Sequence, residues 1–343
     1  MEIPPHHPSG IPIAERVRAP IDVSTPSPRH QLLWRPLRAS DEAQLVPLMN
    51  SQEDAPDSAV DHRLAVLVAL ERMTPETAFV TLGGFDRAGV LRAAAFLHLW
   101  PGTSALVAHG LVDPTWSGRG IGASLMAWQE GRGRQILAGL PGDATARMLG
   151  YVAESAANRR RLLMAAGFSP LRSVYRMRRD LEAPIPCQDL PAGLRWRPLE
   201  KMDPELIRQT HNNATGAAWA PGPVYPELWW RRWEDYLPEL SCVAYDPADE
   251  RVAGYVLALI ERPASKMTPR SEVTIHRFAV APAYRQRGVG RALLGRALLQ
   301  SADEGRRFAT AALDPAMPHS GLAMFEDFGF TPAGRTIVYG LDL

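Results

Sequence analysis

Val280-Ala281-Pro282-Ala283-Tyr284-Arg285-Gln286-Arg287-Gly288-Val289-Gly290 closes an apolar run and opens a helical one, and Val112-Asp113-Pro114-Thr115-Trp116-Ser117-Gly118-Arg119-Gly120-Ile121-Gly122 does the same earlier in the chain. Without side chains to shield them, the backbone N–H groups of such a turn can converge on an anion at the positive end of the following helix, and flanking arginines add full charges. The chain therefore holds two candidate phosphate cradles. A mononucleotide loop needs Lys and then Ser/Thr after its last glycine, where this chain has Ala123 and Arg291, and a dinucleotide loop continues as G-x-G-x-x-G. Neither pattern fits. A glycine pair after a strand is also a common tight turn, so the surroundings must decide.

The duplication extends well beyond the loops. Leu33-Trp34-Arg35-Pro36-Leu37 recurs as Arg195-Trp196-Arg197-Pro198-Leu199, and Ala166-Gly167-Phe168 recurs as Phe328-Gly329-Phe330, both at a spacing of 162 positions. The loops themselves lie 168 apart (Gly120 and Gly288), so the second copy carries six extra residues upstream of its loop. Val174-Tyr175 and Val338-Tyr339 follow the two Gly-Phe pairs. A repeat this long is a whole domain in tandem, because solenoid and propeller units are only about 20 to 50 residues.

Composition fits two globular domains: 343 residues with 46% hydrophobic content can bury a core in each half. A formal net charge of +1 gives no reason to expect nucleic acid or an anionic membrane as partner. No apolar run is long enough to span a bilayer, and residues 1–30 lack the cationic start and apolar core of a signal peptide, so the expected compartment is the cytoplasm. The two cysteines, Cys187 and Cys242, can form neither a disulfide framework nor a zinc site by themselves. Cys242 lies in the strand-like Ser241-Cys242-Val243-Ala244-Tyr245, where it reads as a small buried hydrophobe.

Residues 1–30, rich in proline, read as a flexible arm; 31–182 as the first domain; 183–192, with three prolines, as a linker; and 193–343 as the second domain. In the first domain the pattern predicts strands near 34–37, 78–84, 90–100, 104–112, 147–152 and 171–177 and helices at 40–49, after the loop, and at 158–166. Ile121, Leu125 and Trp128 give the loop helix one apolar face. The second domain repeats this order, with strands near 194–199, 241–246, 252–260, 273–280, 308–313 and 335–341 and helices near 204–213, 225–236, 289–302 and 320–328.

A strand ending Val-x-Pro, then R-x-x-G-x-G, a helix, a strand, and a helix ending in Gly-Phe before a last strand resembles the GNAT superfamily of acetyl-CoA-dependent N-acetyltransferases. The resemblance covers both halves, as in the bacterial two-domain GNAT proteins that include mycothiol synthase. Arg285-Gln286-Arg287-Gly288-Val289-Gly290 matches the family's pyrophosphate loop throughout, whereas the first copy has Ser117 where the family has Gln or Arg. The implied fold is α/β (α+β): two tandem GNAT domains, each a mixed, mostly antiparallel sheet flanked by helices. The implied activity is direct transfer of an acetyl group from acetyl-CoA to the amine of a small molecule. A cysteinyl pseudodisaccharide acceptor, as for mycothiol synthase, and a non-catalytic acyl-CoA sensor or scaffold remain alternatives, and a monomer or a homodimer is expected.

The resemblance also implies site residues. In the second domain the cofactor would lie along Phe278, Ala279 and Val280, with its diphosphate on Arg285, Gln286, Arg287, Gly288, Val289, Gly290 and Arg291, and with Ser320 in place of the family's asparagine. In the first domain Leu111, Val112, Gly118, Arg119, Gly120, Ile121, Gly122, Ala123 and Asn158 would correspond. The two charges of Arg285 and Arg287, against Arg119 alone, favour the second loop as the better cofactor site.

The attacking amine must lose a proton, and counting by twos places Glu272, Thr274 and His276 on one strand face. The family's usual base position holds Thr274, so Glu272 is the candidate general base and His276 the alternate; a solvated strand-end charge and a sheet histidine are the competing readings. The family's proton-donating tyrosine is absent, its positions being Phe325 and Leu163. For the acceptor, Trp219, Tyr225 and Trp229 lie where the family builds a pocket wall, although Trp229 and Trp233 at i, i+4 equally suit the buried face of a helix.

Overall fold

The computed structural model describes residues 10–51, 79–99, 103–215, 226–260, 272–315 and 321–343. They divide into two compact units: Met1–Ser173 together with Arg335–Leu343, and Val174–Gly334. Among the described residues, six strands build the sheet of each unit.

In the first unit, β1 (Leu33–Arg35), β2 (Phe79–Phe85), β3 (Leu91–Leu99) and β4 (Ala105–Val112) form an antiparallel meander, and β4 runs parallel to β5 (Arg147–Ala153). The turn between β2 and β3 is closed by Asp86, whose carboxylate accepts from the N–H groups of Ala88 and Val90, with Gly89 left-handed at φ 77°. Helix α1 (Ile13–Arg16) leads the described chain, α2 (Glu42–Asn50) covers one face of the meander through Leu45, Leu48 and Met49, and α3 (Ile121–Ala138) follows the loop. The anticipated apolar stripe of α3 is buried, with Ile121, Leu125 and Trp128 packed on Leu82, Ala93 and Ala95. Helix α4 (Ala157–Ala165) follows β5.

The second unit repeats the plan. Strands β7 (Arg195–Arg197), β8 (Cys242–Asp246), β9 (Arg251–Leu259) and β10 (Glu272–Val280) form the antiparallel part, and β10 runs parallel to β11 (Phe308–Leu313). Helices α5 (Pro204–Thr215) and α6 (Pro226–Trp233) cover one face through Ile207 and Trp229, against Tyr255 and Leu257. The other face is covered by α7 (Val289–Asp303) and α8 (Leu322–Asp327) through Leu293, Leu298, Phe325 and Phe328. Cys242 lies in this second core, and burial pushes its thiol up to about 12, which removes it from thiolate chemistry.

Two expectations about organisation are corrected. Strand β6 (Ser169–Asp180) begins in the first unit but from Val174 onward belongs to the second, where Tyr175–Asp180 pairs antiparallel with β11. Strand β12 (Thr331–Asp342) does the converse: from Arg335 it belongs to the first unit, and Thr336–Asp342 pairs with β5. Each unit is thus closed by a strand drawn from the other repeat, and the boundaries are not those of 31–182 and 193–343. Nor are residues 10–30 a free arm. Ile13 and Val17 are buried in the first unit's core, Arg134 donates to Val17 O at 2.6 Å, and Gln135 donates to Pro20 O at 2.9 Å. A few apolar side chains in a proline-rich stretch suffice to dock it, because proline also lowers the entropy lost on ordering.

Candidate active site

Strand β10 changes character halfway along. Its parallel ladder to β11 runs from Glu272↔Phe308 to Ile275↔Ala311 and stops there, while on the other side its register with β9 shifts between Ile275 and Arg277. The extra residue is His276. A bulge of this kind bends and twists its strand, so that beyond it Phe278–Val280 keeps β9 as neighbour but leaves β11, opening a slot in the sheet. The slot leads directly to the glycine loop. There Gln286 is left-handed at φ 57°, Gly288 at φ 85° caps α7, and no side chain caps the helix. The first-turn N–H groups are therefore available for an anion. A non-glycine residue held left-handed costs roughly 1–2 kcal/mol, which marks Gln286 as a position where loop shape outweighs local strain.

The loop arginines divide their tasks. Arg287 lies over the Tyr284 ring at 5.4 Å, and Arg291 pairs with Asp327 at 2.8 Å. Arg285 was expected on the diphosphate, but its guanidinium donates to Val280 O at 3.2 Å and to Ala214 O. It ties the strand end to the end of α5 and so holds the loop rather than facing its ligand.

On the face of the bulge that carries α5 and α6, five polar side chains form one chain. The Tyr255 hydroxyl and His211 Nδ1 lie 2.5 Å apart, His211 Nε2 and Arg277 Nη1 3.3 Å, Arg277 Nε and the Tyr236 hydroxyl 3.2 Å, and that hydroxyl and His276 Nδ1 2.9 Å. A guanidinium only donates, so His211 Nε2 accepts, and its Nδ1–H donates to Tyr255. Burial raises Tyr255 well above the usual tyrosine range, keeping its hydroxyl neutral. Trp229 underlies the chain, 1% exposed, with Arg277 at 5.2 Å over its ring and His211 at 5.5 Å.

The sequence-derived candidates fare unequally. His276 stands at the bulge within the polar chain. Glu272 does not join it: Arg178 Nε at 2.9 Å and Arg176 at 3.3 Å, both from β6, engage its carboxylate at the far end of β10. The two positions are four apart in the strand, about 13 Å along the chain. Glu272 is accordingly a structural ion-pair partner, not a base beside the slot. Trp229 is core rather than pocket surface. Trp219, Tyr225 and Ser320 lie outside the described residues. Sequence reasoning missed His211, Tyr236, Tyr255 and Arg277, which share no spacing motif and meet only through the packing of α5 and α6 on the sheet.

The first unit has the loop but not the slot. Gly118 and Gly120 are left-handed at φ 76° and 77°, at positions equivalent to Gln286 and Gly288, and Arg119 lies over Trp116 at 4.5 Å as Arg287 does over Tyr284. Strand β4, however, pairs with β3 without a register shift. Its ladder to β5 ends at Val107↔Leu149, and in the freed stretch Arg159 donates to Gly110 O at 2.7 Å. Gln129 reaches over the neighbouring β3–β4 pair, donating to His109 O at 2.8 Å and Phe96 O at 3.1 Å. The repeat equivalents of Arg159 and Gln129 in the second unit are Gly321 and Ala297. Asn158, expected on the cofactor, instead accepts from Arg161. Leu111 and Val112 follow the blocked carbonyl.

Splayed parallel strands ending in a glycine loop that caps a helix define the fold of a GNAT-type acetyltransferase, present here in two units. Residues 205–330 match the acetyltransferase (GNAT) family model. No functionally curated protein matches the sequence. Among solved structures, the chain is similar to a GCN5-related N-acetyltransferase from Sphaerobacter thermophilus, with 19% identity and a TM-score of 0.64 over 93% of this chain and 97% of the other. It is also similar to a tandem GNAT protein from the clavulanic acid biosynthesis pathway, with 18% identity and a TM-score of 0.63 over 91% and 98%. Saccharomyces cerevisiae N-myristoyltransferase shares the fold more distantly, with 13% identity and a TM-score of 0.54 over 95% and 82%. Among the described residues no helix is long and apolar enough to cross a membrane, and no cluster of side chains could hold a metal ion.

Proposed function

We propose that the protein is an acetyl-CoA-dependent N-acetyltransferase acting on a small-molecule amine, and that the second unit alone carries cofactor and chemistry. The observation that carries this reading is the bulge at His276, beyond which Phe278–Val280 leaves β11 and runs into the Gly288 loop, while at the equivalent edge of the first unit Arg159 holds Gly110 O. The loop fits a diphosphate, because Gly288 has no Cβ, is left-handed, and caps α7 without a side chain. The N–H groups of Gln286 to Arg291 would hold that group, and the edge of Phe278–Val280 that leaves β11, apart from Val280 O, which Arg285 engages, would hydrogen-bond the amide-bearing arm as an added strand does. Bound there, acetyl-CoA supplies the acetyl thioester.

The protein's own task at the bulge is to take a proton from the acceptor amine. His276 Nε2 is the atom assigned to it, with Nδ1–H donating to the Tyr236 hydroxyl, which Arg277 and the buried face of α5 and α6 hold in place. Turnover should be measured by thiol release over a panel of amines, with acetyl-CoA affinity followed by calorimetry. His276→Gln should lower kcat by about 10²- to 10⁴-fold with affinity for acetyl-CoA nearly unchanged. Full turnover in that variant on a verified substrate would remove His276 from the chemistry.

A further inference from the structure

In both units the segment leading into the first strand is strapped across the loop helix and ends over the loop glycine. In the first unit Val23 lies 2.9 Å from where a Cβ on Gly131 of α3 would stand, and the strap ends at His30, whose ring carbon lies 3.7 Å from the Cβ position of Gly120. In the second unit Pro186 O lies 2.7 Å from the Cβ position of Gly295 of α7, and the strap ends at Gln188, whose Nε2 lies 2.2 Å from the Cβ position of Gly288. Each strap depends on a helix glycine, which admits the Val23 side chain in the first unit and the Pro186 carbonyl in the second. Arg179 anchors the second strap by donating to Pro184 O at 2.7 Å and Ala183 O at 3.1 Å, and Ile185 and Leu190 pack on the core to either side of Gln188.

The two tips differ in what satisfies them. His30 Nε2 lies 2.9 Å from the hydroxyl of Ser124, on the first turn of α3. The equivalent of Ser124 in the second unit is Ala292, which offers nothing. The Gln188 amide has no hydrogen-bond partner among the described residues, is solvent-exposed, and sits against the glycine whose neighbours present their N–H groups for an anion. An amide nitrogen carries two donors, the same chemistry as the loop backbone.

We propose that Gln188 is a further ligand of the cofactor's diphosphate, contributed by the linker between the repeats, so that a bound cofactor is clasped between the α7 N-terminus and the strap. This rests on the reading of the second loop as the cofactor site. A hydrogen bond from a neutral donor to an anion would make Gln188→Ala weaken binding about tenfold or somewhat more. Gln188→Glu, which places a carboxylate against the phosphates, should weaken it further.

The test is calorimetric titration of the full-length protein with CoA and with dephospho-CoA, which keeps the diphosphate but lacks the ribose phosphate, together with hydrogen exchange across residues 183–192. Equal proportional losses for the two ligands in Gln188→Ala, and protection of the strap on binding in the wild type, are the expected results. Unchanged affinity in Gln188→Ala would overturn the proposal. So would tighter binding, which would make the strap an obstruction to be displaced. A loss seen with CoA but not with dephospho-CoA would move the contact to the ribose phosphate and equally overturn it. Failure of the wild type to bind either ligand would instead refute the cofactor site itself, so the two failures are distinguishable.

Discussion

The two units hold the same loop and disagree about the strand beside it. Gly118 and Gly120 repeat the left-handed angles of Gln286 and Gly288, and the cation over an aromatic ring recurs as Arg119 on Trp116 and Arg287 on Tyr284. Yet β10 has a bulge where it leaves β11, while β4 is regular and its Gly110 O is taken by Arg159. A loop shape written in glycines survives in both copies because local backbone freedom suffices to make it. The edge beside the loop depends on what the neighbouring helix projects onto it, and there Arg159 stands where the second unit has Gly321.

The exchange of closing strands allows the sharpest test of the comparison. Ile337 belongs to the second repeat by sequence but is buried in the first unit, and Met177 belongs to the first repeat but is buried in the second. Ile337→Asp should therefore destabilise the first unit, and Met177→Asp the second, each by roughly 3–5 kcal/mol for an unpaired charge in a core. Hydrogen exchange resolved by peptide would read which unit loosens. Loosening of the unit predicted from sequence order would refute the exchange.

Next in size is the contrast along β10. His276→Gln should cost the 10²- to 10⁴-fold in kcat argued above, whereas Glu272→Gln should change kcat less than about threefold and only modestly lower stability, since it removes partly exposed ion pairs to Arg176 and Arg178. Comparable losses in kcat from both would restore Glu272 as a candidate base. A smaller effect separates the loops: Arg287→Ala should weaken acetyl-CoA binding by about 10- to 100-fold, while Arg119→Ala should leave it unchanged. Binding stoichiometry should be one per chain. Two equivalents, or an equal loss from Arg119→Ala, would show the first unit to be a working site.

The smallest effect concerns acid. In the first unit Asp41 accepts a two-point ion pair from Arg35 at 2.7 and 2.8 Å and a hydrogen bond from Arg38 N, and the Arg35 guanidinium holds its carboxyl below the usual aspartate range. The lowered folded value means that this stabilisation is present above the unfolded value near 4 and is lost as pH falls through the lower folded value. The equivalent positions in the second unit, Arg197 and Asp203, are not paired: Arg197 lies over Tyr245 at 4.2 Å, and Asp203 Oδ1 accepts from Glu205 N. Asp41→Asn should remove on the order of 1 kcal/mol from the first unit at neutral pH and flatten its acid profile, with little change in the second. An unchanged acid profile would show that other carboxylates govern it.

Much of the plan was legible from residue pattern alone. The two glycine loops, the recurring Trp-Arg-Pro-Leu and Gly-Phe segments, and the apolar stripe of Ile121, Leu125 and Trp128 predicted two similar α/β domains and the order of their strands and helices. These features are local: turn chemistry and periodicity act within a few residues and need no knowledge of what lies opposite. Long-range packing decided the rest. Which strand closes each unit, whether Arg285 meets a phosphate or Val280 O, whether Glu272 is a base or the partner of two arginines, and whether His276 finds Tyr236 all depend on groups tens to hundreds of positions apart. Pairing energy between strands is nearly indifferent to the repeat a strand comes from, so sequence order could not reveal that β6 and β12 would trade places.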